Sequence, residues 1–514
     1  MKHFDVAIVG LGPVGCAAAI LLAHAGMRVV VFERDREVYR LPRAVNMDGE
    51  VVRAFQRIGL GEELNALLQP VRPGESVAFT NSKREPIFSN AFTDFGRNGW
   101  QPGSFFDQPE VDAWLRARAL EHAAVESYVG WQVSGFVEHP GRVELNADEL
   151  DSDAKVDCSA AYVLACDGAS SIFRNLLNIN WNSLGYDHDW LVVDIEALTG
   201  NTLTTTTMQI CDPDRISTYV CSKDPYRRWE FKLNPGETWE EMLEPERIRL
   251  LIEAFTPAGT YTIRRAAMYQ FHAAVADEWR RSRILLAGDA AHQTPPFLGQ
   301  GMNAGMRDVI NRGWKIPLGL AGVADDALLD TYEEERKAHA TDLVDWAVAI
   351  GKLMEHLAAV EAAERAGVEP PKPDEDRRAS GYGQGRDQPP IRDGVVCLDQ
   401  VSDSGSTGYL FSQPIVQTAG GDERRLDDLM GPGVCIVGRT EADLVHDAGS
   451  AEIIRKLGGG CLEGLTEVRG HFDRLFAHSR AAIVRPDRYV FGHTTADLTL
   501  DELISQLADA VTVR

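Results

Sequence analysis

Phe4-Asp-Val-Ala-Ile-Val9 runs directly into Gly10-Leu-Gly-Pro-Val-Gly15, then an alanine-rich stretch through His24, a stop at Gly26, and a second apolar run from Arg28 to Phe32 that ends in Glu33. The order is strand, G-x-G-x-x-G, helix, strand, acid, with Glu33 eighteen residues after Gly15. Each part has a physical reason. Gly10 allows the tight turn, Gly12 the approach of a pyrophosphate to bare backbone, and Gly15 close packing of the helix, while Glu33 can accept from a ribose hydroxyl. A lone glycine motif is weak. Here strand, helix and acid all fall at the required spacing, and the stretch predicts a βαβ unit that binds a dinucleotide across Gly10, Gly12, Pro13 and Gly15.

A second stretch, Arg283-Ile-Leu-Leu-Ala-Gly-Asp289, reads as a short buried strand ending in Gly288-Asp289. Pro295-Pro296, Gly299 and Gly301 follow before a helical run begins near Asn303. Asp289 can accept from a polyol hydroxyl, and the glycines let a flat ligand lie against the main chain. A third strand end, Cys166-Asp-Gly-Ala-Ser-Ser171, carries Asp167-Gly168 with Arg174 shortly after. Between these motifs, Trp190 to Ile195, Thr204 to Ile210, Ser217 to Val220 and Trp229 to Leu233 alternate as strands of an antiparallel sheet. Asp308 to Leu320 and Ala327 to Leu357 read as helices, and Glu364 to Asp393, rich in Pro, Gly and charge, as a linker.

At 514 residues the chain exceeds one ordinary core, and 44% apolar with 25% charged residues is the composition of a soluble globular protein. A net charge of -25 argues against an extended phosphate-binding surface and so against a nucleic-acid partner. The eight cysteines are scattered, with no C-x-x-C pair and no zinc spacing, so no metal site is expected and a reducing cytoplasm suits them. No apolar run reaches the roughly 18 residues of a membrane span, and the first strand starts too early for a signal peptide.

Three spaced motifs in this order, Gly10-x-Gly12-x-x-Gly15 with Glu33-Arg34, Asp167-Gly168 with Arg174, and Gly288-Asp289 running into Gly299-Gln-Gly-Met-Asn303, resemble the single-component FAD-dependent aromatic hydroxylases. Pro42-Arg-Ala-Val45 with Asp48 and Glu50, Cys211-Asp-Pro-Asp-Arg215, Arg227-Arg-Trp-Glu-Phe231 and Tyr269-Gln-Phe-His-Ala273 make the chain most similar to the 3-(3-hydroxyphenyl)propionate hydroxylase group. The resemblance is strong to about residue 345 and weaker beyond.

It implies an α/β fold with a Rossmann-type FAD-binding domain (1–180 and 276–360), an inserted antiparallel β-sheet substrate domain (181–275), a linker (361–394) and a thioredoxin-like C-terminal domain (395–514). FAD would place its diphosphate at the first glycine loop, its adenosine ribose at Glu33 beside Arg34, and its ribityl chain at Asp289, with Arg43, Gln108 and Asp167 also touching cofactor. Pro296, Gly299, Gly301, Met302 and Asn303 would line the isoalloxazine, their backbone donors stabilising charge on reduced flavin. NADH or NADPH would bind only transiently, with no domain of its own. The implied reaction reduces FAD, adds dioxygen to give a flavin C4a-hydroperoxide, and passes one oxygen to a phenol ortho to its hydroxyl. Asp48, Tyr219, Tyr269, His272 and Pro296 are the candidate catalytic residues. Val45 stands where phenol hydroxylases carry a substrate-side aspartate, so that role does not transfer. Arg215, Arg227, Arg228, Arg264 and Arg265 are candidates to clamp a substrate carboxylate. A hydroxylase or epoxidase of a larger polycyclic aromatic would share every FAD motif, and a non-enzymatic dinucleotide-binding protein would share the fold. A homodimer is the expected assembly, with the C-terminal domain as structure or dimer surface.

Overall fold

The computed structural model describes residues 1–71, 76–91, 96–201, 203–372, 388–402, 405–418, 420–470, 472 and 475–513. The core of the first sheet is parallel, in the order Ile284–Leu286, Lys155–Ala165, Lys2–Val9, Val29–Glu33, Val125–Val129. Val6 pairs with Tyr162 on one side and Val29 on the other. Val6 to Ile8 are fully buried, as befits a central parallel strand covered on both faces. Strand order reverses beside Lys2–Val9, so a crevice opens at the carboxyl ends of this strand and Lys155–Ala165, where open α/β sheets take their ligands. The helices Pro13–His24 and Gly301–Leu320 pack together and both begin at that crevice.

The second sheet has eight strands, ordered His292–Gln293, Tyr261–Ala276, Trp181–Ala197, Tyr226–Lys232, Ser217–Cys221, Thr207–Ile210, Ser76–Thr80 and Pro86–Ala91. It reaches outside 181–275 at both edges. The hairpin 76–91 joins by parallel pairing of Val77 with Thr207, and His292 pairs with Val275, so backbone groups at both edges find partners that sequence proximity does not suggest.

The faces of this sheet differ in chemistry. Leu191, Val193, Ile195, Met208, Ile210, Tyr219, Trp229 and Phe231 form one apolar core with Ile248 and Ile252 of the helix Pro245–Glu253. The opposite face carries Val192, Gln209, Thr218, Arg228, Glu230 and Arg265 and roofs the crevice. Strand alternation thus assigns each residue to core or cavity.

The helix Asp330–Ala366 runs nine residues past the expected Leu357 and ends on Gly367 in the left-handed region (φ 67°). Residues 373–387 of the expected linker lie outside the described residues. In the C-terminal region the strands Cys435–Gly438, Gly460–Leu462, Ala481–Val484 and Val490–His493 are ordered second, first, third, fourth, the first two parallel and the others antiparallel. With the helices Ala448–Lys456 and Leu500–Val511, this is a thioredoxin-like arrangement. All eight cysteines are free, and burial pushes the Cys435 thiol up to about 12.

Buried ion pairs bind this region to the rest. Arg53 holds Asp427 bidentately at 2.9 and 2.6 Å, and Arg485 bridges Glu335 at 2.7 Å and Asp487 at 2.5 Å.

Candidate active site

The three glycines of the first loop are needed for different reasons. A Cβ on Gly10 (φ 95°) would lie 2.3 Å from the Cys166 carbonyl oxygen, and one on Gly15 would lie 1.9 Å from the Gly10 oxygen. Both positions are closed by packing. A Cβ on Gly12 meets nothing within 4 Å, because Gly12 and Pro13 border the cavity. The helix Pro13–His24 has no side-chain cap, so its first N–H groups face that space, as an anion-binding helix end requires.

Glu33 is buried, and its two oxygens accept from Leu11 N at 2.6 Å and Asp35 N at 2.7 Å. It braces the glycine loop from behind. Arg34 is 66% exposed beside Asp35 and does not line the cavity. Asp167 likewise stays out of the lining. Its Oδ2 accepts from Ile172 N (2.7 Å) and Phe173 N (3.2 Å), while its neighbours Gly168, Ala169 and Ser170 border the cavity. Arg174 ties this turn to the second motif through Ala169 O and Ala290 O.

At the second motif, Gly288 (φ 57°) donates to Asp308 Oδ2 at 3.0 Å. Asp289 lies deep in the molecule yet is accessible, because it opens onto the cavity. Its carboxylate accepts no hydrogen bond from any described residue, and burial raises its pKa. Gln108 Oε1 accepts from Arg43 N and Ala44 N, both at 2.7 Å, fixing the loop that carries Arg43 to the cavity wall. Pro296, Gly299, Gly301 and Met302 line the wall. Gly299 takes φ 62°, and its carbonyl accepts from Asn303 Nδ2 at 3.0 Å. Asn303 is wholly buried, its Oδ1 accepting from Asp48 N, so it is a strut under the loop. The helix Gly301–Leu320 also starts without a side-chain cap.

This cradle fits FAD. It offers two uncapped helix N-termini, a glycine with room for a close approach, and an unpaired carboxylate suited to a polyol. The cavity of about 1370 Å³ exceeds the roughly 300–1,000 Å³ of a site for one drug-sized ligand, leaving room for a substrate beside the cofactor.

The expected catalytic residues are not all brought together. Tyr219 does not reach the cavity. It sits on the apolar face of the roof, fully buried, its hydroxyl donating to Thr204 O at 2.7 Å. It is a packing residue, and the expectation is corrected by strand parity. Asp48 borders the cavity but is already held by Arg307 and, at 3.1 Å, by Gln300. Burial raises its pKa while Arg307 opposes the shift. His272 lies at the wall with Nδ1 against Asp187. Tyr269 lines it beneath the Arg265 guanidinium, 4.7 Å from the ring centroid.

The sequence reading missed Arg307, which bridges Asp48 and Glu50, and Tyr489, whose hydroxyl donates to Glu50 at 3.1 Å from the C-terminal region. Tyr409, Leu410 and Tyr489 bring that region to the cavity wall. It also missed Glu230. The alternation Arg228-Trp-Glu-Phe-Lys232 was its signal, since a central strand with one apolar and one charged face must turn the charged one toward a cavity.

Comparison with known proteins agrees with the geometry. Residues 3–347 match the FAD binding domain family and residues 408–510 the HcaD C-terminal domain. The chain is 31% identical to the probable NADH-specific resorcinol 4-hydroxylase of Rhodococcus jostii (strain RHA1), over 99% of this chain and 96% of that one. It is 32% identical to 3-(3-hydroxy-phenyl)propionate/3-hydroxycinnamic acid hydroxylase 2 of Burkholderia vietnamiensis (strain G4 / LMG 22486), covering 96% and 94%. In fold it is similar to the aklavinone-11 hydroxylase solved as a ternary complex with FAD and aklavinone, with a TM-score of 0.81, 24% identity and 99% coverage of both chains. A cradle made for FAD, a polar roof above it and full-length relatives that are hydroxylases lead to one assignment: the chain belongs to the FAD binding domain family, as a FAD-dependent aromatic hydroxylase.

Proposed function

We propose that the protein hydroxylates a single-ring phenol ortho to its hydroxyl group, with 3-(3-hydroxyphenyl)propionate or a related meta-substituted phenol such as resorcinol as substrate. The observation that carries this reading is the polar roof, which encloses a space continuous with the flavin cradle and lined by Val192, Thr218, Val220, Glu230 and Gln209. Bound FAD supplies the redox chemistry: it takes two electrons from NADH or NADPH and activates dioxygen, one oxygen entering the ring and the other leaving as water.

The chain's own residues bind, orient and enclose. Gly12 and the start of Pro13–His24 would hold the diphosphate, and Asp289 would hold a ribityl hydroxyl. The backbone from Pro296 to Met302 would hold the isoalloxazine, and the start of Gly301–Leu320 would supply positive potential for the charge of reduced flavin. Glu33 acts by holding the glycine loop, and Gln108 by holding Arg43. Trp346, Leu410 and Phe297 add apolar surface to the cavity wall.

Of the five arginines considered for a substrate carboxylate, four are committed. Arg215 pairs with Glu237, Arg227 with Asp224, Arg228 with Asp194 and Arg264 with Asp107, each with a contact of 2.7 Å or less. Arg265 comes no nearer than 3.7 Å to a carboxylate (Asp194) and keeps Nε and Nη2 without partners. It is the arginine we assign to a propionate group. We place the protein in the cytoplasm, where eight free thiols persist, and infer a homodimer, to be checked by sedimentation.

The test is aerobic oxidation of NADH and of NADPH by the flavin-loaded protein, with and without resorcinol and 3-(3-hydroxyphenyl)propionate, followed by mass analysis. Stimulated oxidation with a product one oxygen heavier supports the reading. Turnover of a polycyclic phenol but of neither single-ring compound would replace it with the larger-substrate alternative.

A further inference from the structure

Glu230 sits at the centre of the roof. Its Cα pairs with Val192 on one side and Thr218 on the other, and Thr218 pairs with Gln209, so the four side chains form one row across the cavity. Within that row Thr218 Oγ1 donates to Gln209 Oε1 at 2.7 Å, which leaves neither of them turned to Glu230. The glutamate is 4% exposed, borders the cavity, and accepts no hydrogen bond from any described residue. A carboxylate in such a place normally has partners, and one without them is a functional candidate.

Its relation to Arg228 does not explain it. Arg228 Nη1 lies 4.0 Å away, too far for a hydrogen bond. That guanidinium is already occupied: Nε donates to Asp194 Oδ1 at 2.7 Å, Nη2 to Pro42 O at 2.9 Å, and Nη1 to Arg43 O. Arg228 would be satisfied with Glu230 absent. Among the described residues, Asp194 on the adjacent strand acts on Glu230 besides Arg228, and Glu230 in turn acts on Tyr186 at the start of Trp181–Ala197; Arg265 lies one strand further, and Arg43, Asp48, Asp187, Tyr269, His272, Asp289 and Arg307 border the same cavity. Burial is the main influence on the Glu230 carboxyl, opposed by Arg228 and reinforced by Asp194, and it lifts the group to about 7. A base poised there is half ionised at neutral pH and able to take a proton from a bound phenol.

We propose that Glu230 is a catalytic residue, the acceptor of the proton from the substrate's phenolic hydroxyl. The step balances simply. The phenol O–H bond breaks, its electron pair stays on the ring oxygen, and the proton forms a new O–H bond on the Glu230 carboxylate. The phenolate pushes electron density to its ortho carbons, which is what an electrophilic oxygen requires. This inference rests on the reading of the protein as a phenol hydroxylase.

The test compares wild type with Glu230→Gln, nearly the same shape without the basic oxygen. With resorcinol and NADH, wild-type product formation falls as pH drops through about 7. In E230Q that limb disappears, the rate falls by roughly 10²–10⁴-fold, and NADH electrons go to hydrogen peroxide instead of product. The loss shrinks for a ring-fluorinated resorcinol that ionises by itself at neutral pH, a pattern that damage to packing would not produce. Glu230→Asp, keeping a carboxylate, recovers part of the coupling. Should E230Q fail to hold FAD, the wild-type pH profile and E230D decide: a profile flat from about pH 6 to about pH 8 overturns the proposal. So does an E230Q enzyme with wild-type coupling and pH dependence, and in that case the phenol-hydroxylase reading survives. Wild type that turns over no phenol would remove both.

Discussion

Replacing Asp427 by alanine tests whether the C-terminal domain is a wall of the active site or an appendage. Asp427 is completely buried and receives three charge-assisted hydrogen bonds, from Arg53 Nε (2.9 Å), Arg53 Nη2 (2.6 Å) and Arg488 Nε (3.1 Å). A third cation, Arg57, lies close enough to be influenced by it, and burial draws Arg57 down to about 9. Removing the carboxylate leaves these guanidinium groups in the interior without their common anion. Breaking a buried pair from one side costs about 3–5 kcal/mol, a large share of the 5–15 kcal/mol that holds a domain together. At about 2 °C per kcal/mol, suited to a long chain, the unfolding midpoint falls by roughly 6–10 °C. The assay is thermal unfolding followed both by circular dichroism and by fluorescence of released flavin. Flavin should escape early, because Arg53 lies on the helix Gly49–Gln56, whose Glu50 links Arg307 to Tyr489 at the cavity wall. The double variant R53M/D427L should recover only part of the loss, since Arg488 and Arg57 remain. A D427A protein melting within about 2 °C of wild type, with flavin release unchanged, would refute the argument that this cluster fastens the domain.

Asp289→Ala should lower FAD affinity by at least tenfold, the worth of about 1.4 kcal/mol lost with a buried charge-assisted hydrogen bond, as read by flavin titration of apoprotein. Undiminished affinity would remove Asp289 from the cradle. Tyr219→Phe should cost about 1 kcal/mol of stability, for the bond to Thr204 O, and leave turnover within about twofold of wild type. A large loss of turnover would restore it to the site. Glu335 is held at about 2, against an ordinary 4.5, chiefly by Arg485 and Lys315 overcoming its burial. A depressed folded-state pKa gives stability that is fully present above the unfolded value and lost as pH falls from about 4.5 toward about 2. At 1.36 kcal/mol per unit this is roughly 3 kcal/mol. Urea midpoints should drop across that acid window in wild type and less in E335Q.

The parts of the molecule that sequence made visible are those set by local sterics. Gly10 and Gly15 can be nothing else while Cys166 O and Gly10 O stand where their Cβ atoms would go, and that constraint writes itself into consecutive residues. Gly288 and Gly299, both in the left-handed region, are legible for the same reason. What sequence conceals is how a recognised group is used. Asp167, Glu33 and Asn303 all fall in the cofactor motifs, yet their side chains are taken up by backbone a few residues away or across the fold, so the motif marks a cradle whose lining is largely its neighbours. Strand parity hides in the same way. Tyr219 and Glu230 lie on adjacent strands of one sheet, and only the helix Pro245–Glu253, covering the apolar face, decides that the tyrosine is packing and the glutamate faces the cavity. The contacts with the C-terminal domain are beyond any local reading, since Arg53 and Asp427 are 374 positions apart. Asp427, Glu335 and Asp48 each meet an arginine from far along the chain, whereas Glu230, with Arg228 4.0 Å away and already held by Asp194, Pro42 and Arg43, keeps its carboxylate toward the cavity.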